Sequence, residues 1–169
     1  MTNTHEPGNA EGAGRPSGPP SGFGKDVHDY LGHYIDVADA KVSILAGFSF
    51  AVLGYLLSAD VVGCGGAALR WLGIIAEAMS IGAAVYAVFP RLTSGGSSTI
   101  FWEDVLTRSG PMEYFEDIGR LDDGAVEQEY AIQNYYLSGI LHRKYMAIRV
   151  GMVAFLIGAG AAALLIYMA

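Results

Sequence analysis

The chain has 169 residues, 52% of them hydrophobic and 23 of them glycine, with positive mean hydropathy. That composition excludes an ordinary soluble domain and fits a small membrane protein of one structural unit. Seventeen acidic against 10 basic residues give a net charge of -7, which disfavours a nucleic acid polymer as partner, and the lone Cys64 excludes an internal disulfide or a cysteine-rich metal site.

Residues 1–22 carry Gly, Pro, Ser, Asn and Thr without a hydrophobic run, too little apolar surface to offset the entropy of ordering, and are expected to be a disordered tail. A secretory signal would need a basic start and an apolar core, and neither is present. Order is expected from Phe23. Val27, Tyr30, Leu31, Tyr34, Ile35 and Ala38 mark one face of a helix, with Asp26, Asp29, His33 and Asp36 on the other.

This first stem leads into an uncharged segment, residues 42–59, at the short end of what crosses a bilayer. Asp60 and a glycine-rich turn from Gly63 to Gly66 are expected to close it. A second span, residues 71–90, opens at Trp71 and contains one acidic residue, Glu77. Leu92 to Ser98 reads as a linker, Ile100-Phe101-Trp102 as the opening of a short helix to about Thr107, and Pro111 as the first residue of another that Gly119 stops.

From Leu121 the chain is expected to form one helix to its last residue, because no proline interrupts it. Asp122 or Asp123 can cap it, with Leu121 as a staple residue. Val126, Tyr130, Leu137, Leu141, Tyr145 and Ile148 recur at helical spacing, with Glu127, Gln128, Gln133 and Arg143 between them. No charge follows Arg149, and at about 1.5 Å per residue the stretch from Val150 crosses a core of roughly 30 Å, so a third span covers residues 149–169. The polar part would stand on the order of 39 Å off the membrane as a stalk.

Arg15, Lys25, Lys41, Arg91, Arg108, Arg120, Arg143, Lys144 and Arg149 fall on one side of these spans, and the turn between spans one and two holds only Arg70. The positive-inside rule therefore puts the amino terminus and residues 91–148 in the cytosol and the carboxyl terminus outside. Spans one and three run parallel, so their stems can pack side by side and bury each other's stripes, Tyr30, Tyr34, Tyr130 and Tyr145 included. The expected architecture is an all-α membrane protein: three transmembrane helices, two helical cytosolic stems and a short helical cap.

Each candidate site has a functional and a bland reading. Glu77 enters the bilayer, where an ionised carboxylate is costly, and is either a pore-lining or proton-sensitive group or a carboxyl that reaches headgroups or sits protonated against a neighbour. Asp36, Asp39 and Lys41 gather where the first stem meets the membrane. They are either an anion and base-edge reader or a solvated face with a snorkelling lysine. Arg91, Lys144 and Arg149 lie near the same boundary, where a phosphate or anionic headgroups would suit them, with Arg143 on the far side of the stalk. Among the rings, Phe101 and Trp102 lie outside the stripes and are the better stacking candidates. His28 and His33 with Glu6 or Asp36 make no metal set of known spacing, and no HExxH, GxSxG, Walker or GxGxxG motif occurs, so neither metal, cofactor nor catalysis is expected. Gly47, Ala51, Gly158 and Gly160 give small faces for close packing in lipid, within the bundle or in a homo-oligomer.

Ala38-Asp39-Ala40-Lys41-Val42-Ser43 at the first span, Phe89-Pro90-Arg91 leaving the second, Ile100-Phe101-Trp102 after the linker, and Lys144-Tyr145 with Arg149 at the last span together resemble the transmembrane effectors of Pycsar antiphage defence. The resemblance covers about residues 25–169, with Trp102 where a second Phe is usual and Glu103-Asp104 where small residues often follow. It implies a bacterial inner-membrane effector that responds to a cyclic pyrimidine mononucleotide (cCMP or cUMP) from a partner cyclase and impairs the membrane of the infected cell. It also implies that Asp39, Lys41, Arg91, Lys144 and Arg149 act together, with Tyr145, Phe101 and Trp102 near them. The alternative from another class is a constitutive anchor or accessory subunit of a transporter or channel.

Overall fold

The computed structural model describes residues 20–89, 99 and 102–168. Helix α1 runs Phe23–Ser58, α2 Gly63–Val88, α3 Trp102–Val105, α4 Pro111–Gly119 and α5 Asp123–Met168. α1, α2 and α5 are each long and apolar enough to cross a membrane, as the uncharged runs require. The linker, Arg91, Ile100 and Phe101 lie outside the described residues, as do residues 1–19 of the tail.

α1 and α5 are unbroken from stem to span, and α2 packs antiparallel against both. Buried positions in α1 are Gly24, Leu31, Ala38, Val42, Leu45, Ser49 and Leu56, in steps of seven, four and three. α2 buries Gly66, Gly73, Glu77, Ser80, Ala84 and Ala87 in the same rhythm, and α5 buries Ala147, Gly151, Ala154, Gly158, Ala161 and Leu165. A seven-residue repeat of this kind keeps straight seams between helices that coil left-handedly. Most seam residues are Ala or Gly, which lets the backbones approach closely where lipid offers no hydrophobic drive to association. Toward the stems the core is Ala38, Val42, Ala84, Ala87, Ala147 and Ile148, and at the far end Leu56, Ala162 and Leu165.

The seam also corrects two expectations. Tyr30 and Tyr34 are 59% and 37% exposed, their rings 4.6 Å apart on the outside of α1. A 3.6-residue stripe is broader than the heptad seam through Gly24, Leu31 and Ala38, and both tyrosines fall beside it. Gly63 to Gly66 is not a turn but the first turn of α2, entered through Gly63 at a φ of 81°, a left-handed conformation that suits glycine. The reversal is made by residues 59–62, and Arg70 donates to the Ala59 carbonyl at 3.2 Å, satisfying the end of α1.

At the stem ends the two long helices are tied by side chains. Glu127 of α5 accepts from the backbone N–H groups of Gly22 and Gly24, the latter at 2.9 Å, placing a carboxylate on the positive end of α1. Asn134 donates to the Gly24 carbonyl at 2.8 Å, and Asp122 caps α5 by accepting from Ala125 N–H at 2.7 Å. A Cβ on Gly24 would fall 2.6 Å from Tyr130 Cβ and 2.7 Å from Glu127 Oε2. Gly24→Ala should therefore separate the stems and cost about 1–3 kcal/mol, read as a lower melting temperature of the purified chain in detergent. Gly32→Ala, inside α1 where a Cβ meets nothing, should not lower it and should raise it slightly, because alanine is the better helix former.

The expected cap is lightly applied to the stalk. Thr99 N–H donates to Glu129 at 3.0 Å and Tyr114 donates to the Thr99 carbonyl at 2.9 Å. α4 itself buries no residue, and Met112, Phe115 and Ile118 remain exposed. Hydrogen bonds from the Ser109 hydroxyl and N–H hold the Glu113 carboxyl below its usual value at the start of α4.

Candidate functional site at the boundary of stems and spans

In α1 the segment Ala38-Asp39-Ala40-Lys41-Val42 alternates between the seam and its shoulders. Ala38 and Val42 are buried against Ala147 and Ile148, which sets Asp39 and Lys41 on the rim of the α1–α5 contact. From α5, Lys144 and Tyr145 precede the same buried pair by one turn and reach the same layer.

Lys144 donates to Asp39 across the two helices, its side chain 14% exposed and that of Asp39 44%. Lys41 Nζ lies 5.4 Å from the centroid of the Tyr145 ring, within cation–π range. Arg149 is exposed one turn further along and shares with Lys41 and Tyr145 a groove of about 470 Å³ that continues along the spans past Ile44, Phe48 and Met152. Arg143 lines a different groove, with His142 and Tyr86, on the side of α5 that faces α2.

Of the residues singled out from sequence, Asp39, Lys41, Lys144, Tyr145 and Arg149 are thus brought together at one level. Arg91 and Phe101 lie outside the described residues. So does the side chain of Trp102, although its backbone opens α3. Asp36 is exposed on the stem. Sequence reasoning did not assign the Asp39–Lys144 pair, because partners 105 residues apart leave no local signal. It also left Glu127 simply between the apolar positions of the last helix, whereas it accepts from the backbone at the start of α1.

Chemically, the layer holds three cations, one balanced by Asp39 and one resting on an aromatic face. Such an arrangement suits a singly charged phosphate attached to a flat ring. A phosphate that reached Lys144 would compete with Asp39 for it.

A family model for the PycTM Pycsar effector protein domain matches residues 23–169. The chain belongs to that family. It is therefore a Pycsar transmembrane effector, and the match spans both stems, all three spans and the segment between α2 and α5. Comparison with curated proteins and with solved structures finds no match. Membership of that family implies a cyclic nucleotide signal from a partner cyclase.

Proposed function

We propose that this chain is an inner-membrane effector of bacterial antiviral defence, gated by a cyclic pyrimidine mononucleotide, cCMP or cUMP, that binds its cytosolic face and triggers membrane impairment. The observation that carries the reading is the convergence of Asp39, Lys41, Lys144, Tyr145 and Arg149 in one layer of a Pycsar effector domain. Arg91, Phe101 and Trp102 complete the proposed ligand set. The phosphate sits among Lys41, Arg91 and Arg149, the base stacks on Tyr145, Phe101 or Trp102, and Asp39, freed from Lys144, reads a polar base edge.

Binding acts on the spans because the two helices bearing these residues continue into the membrane without a break. Exchange of Asp39 for phosphate at Lys144 replaces a bond between helices by bonds to ligand. The ligand favours whichever stem arrangement it binds more tightly, and that difference alone drives the spans. No step requires chemistry on the nucleotide, so the role is that of a membrane effector rather than an enzyme.

Calorimetry of the purified chain against cyclic mononucleotides should give heat with cCMP or cUMP and none with the purine analogues. Equal heats for all four, or none for any, would count against the reading. Topology follows from the concentration of basic residues on the stem side: the amino terminus and residues 91–148 are cytosolic and the carboxyl terminus is outside. A carboxyl-terminal alkaline phosphatase fusion should be active, and activity only from a cytosolic reporter would reverse the assignment.

A further inference from the structure

Glu77 is fully buried at the middle of the span bundle, and so are Ser49 of α1 and Ser80, one turn along α2. These are three of the five largest side chains with essentially no exposure. The two serine hydroxyls are hydrogen-bonded to each other at 2.8 Å, the Ser49 hydroxyl stands beside the Glu77 carboxyl, and neither carboxyl oxygen has a hydrogen-bond partner among the described residues.

The carboxyl lies against Gly158 of α5. A Cβ there would overlap Glu77 Oε1 and lie 2.7 Å from its carboxyl carbon, so any larger residue at 158 requires the Glu77 side chain to shift. One turn before Glu77 along α2, Gly73 lies close to Leu56 and Ala161, and two turns before Gly158 along α5, Gly151 lies close to Leu45, so the helices approach closely on both sides of the carboxyl. No cation faces it. α1 presents Ser49 and α5 presents Gly158, while Tyr55, the titratable residue of the first span, packs with Leu56 and Leu165 instead. The uncharged runs of α1 and α5 contain no Lys, Arg or His.

An ionised carboxylate in such a place would have neither countercharge nor water. As an acid, by contrast, the group has one O–H to donate and a serine oxygen beside it to accept. We propose that Glu77, with Ser49 and Ser80, is a proton-binding site that seals the closed bundle, and that the proton passes to water when the seam between α2 and α5 parts. The balance is simple: the Glu77 O–H bond breaks, its electron pair stays on the carboxylate, and the proton leaves on a water molecule. Closure then carries a bound proton, and opening leaves a fixed negative charge in a hydrated seam. The bound proton stands on geometry alone. Its release during signalling rests on the membrane-impairing role proposed above.

Infrared spectra of the full chain in lipid vesicles at neutral pH test this. The carbonyl stretch of a protonated carboxylic acid should be present in the wild type and lost in Glu77→Gln, whose retention time in detergent serves as the check on folding. Gly158→Val, which wedges the seam without any nucleotide, should lose the same band while its helical amide signal persists. A wild-type spectrum without the band overturns the proton site, and a band that survives in Gly158→Val overturns release on opening. Vesicle conductance on adding cCMP or cUMP separates this from the functional reading. A band that behaves as expected with no nucleotide response contradicts the gating and leaves the proton site standing.

Discussion

Gly158→Val should destabilise the span bundle by about 3 kcal/mol, at the upper end of what overpacking a fitted core costs. The added carbons fall on the Glu77 carboxyl, which is fully buried and must shift to admit them. Either the carboxyl is displaced or α5 moves off α2. Gly160→Val supplies the contrast: Gly160 is exposed and a Cβ there meets nothing, so that variant should melt with the wild type. Glu77→Ala should relieve most of the Gly158→Val penalty, because the two positions share one volume and their effects cannot be additive. Melting in detergent followed by circular dichroism checks all four proteins. Equal melting temperatures for Gly158→Val and Gly160→Val would mean that α5 does not lie on Glu77.

The second large effect is on activity. Lys41→Ala and Arg91→Ala should each leave the protein in the membrane and abolish the depolarisation that a co-expressed cyclase provokes, because each removes a cation from the layer proposed to hold the phosphate. Lys144→Ala should weaken the response as well, and it also leaves Asp39 without its partner, so its resting stability has to be measured alongside. Depolarisation that persists in both Lys41→Ala and Arg91→Ala, at wild-type abundance, would remove the layer from the account and favour a constitutive anchor or accessory subunit.

The features legible in the sequence are those written locally. Three uncharged runs bounded by Lys41, Arg70 and Arg149 gave the spans, and the absence of proline after Leu121 gave α5 as one helix of 46 residues. The Asp122 cap and the Pro111 start of α4 were read from residue type alone. What could not be read depends on a partner helix. Tyr30 and Tyr34 carry the right spacing for a broad apolar face, yet α5 covers only the narrow heptad seam beside them. Gly63 to Gly66 has turn composition, but the chain reverses one step earlier and the glycines begin α2. Glu127 falls between the apolar positions of α5, and its role at the backbone of α1 appears only when the start of α1 lies against it. The same limit holds for the boundary layer: charge pattern put Lys41, Lys144 and Arg149 at one height, but only the fold pairs Lys144 with Asp39 and sets Lys41 on Tyr145. Likewise Glu77 is visible as a charge in an apolar run, whereas its contact with Gly158 is not.

The central claim is that a cyclic pyrimidine mononucleotide opens this membrane protein through its stem layer. Reconstituting the purified full chain in sealed vesicles loaded with an ion-sensitive dye tests it most directly. The account predicts leakage on adding cCMP or cUMP, none with cAMP or cGMP, and none from Lys41→Ala under the same conditions. Leakage that is equal with and without nucleotide, or absent with every nucleotide while calorimetry shows no binding, would contradict it.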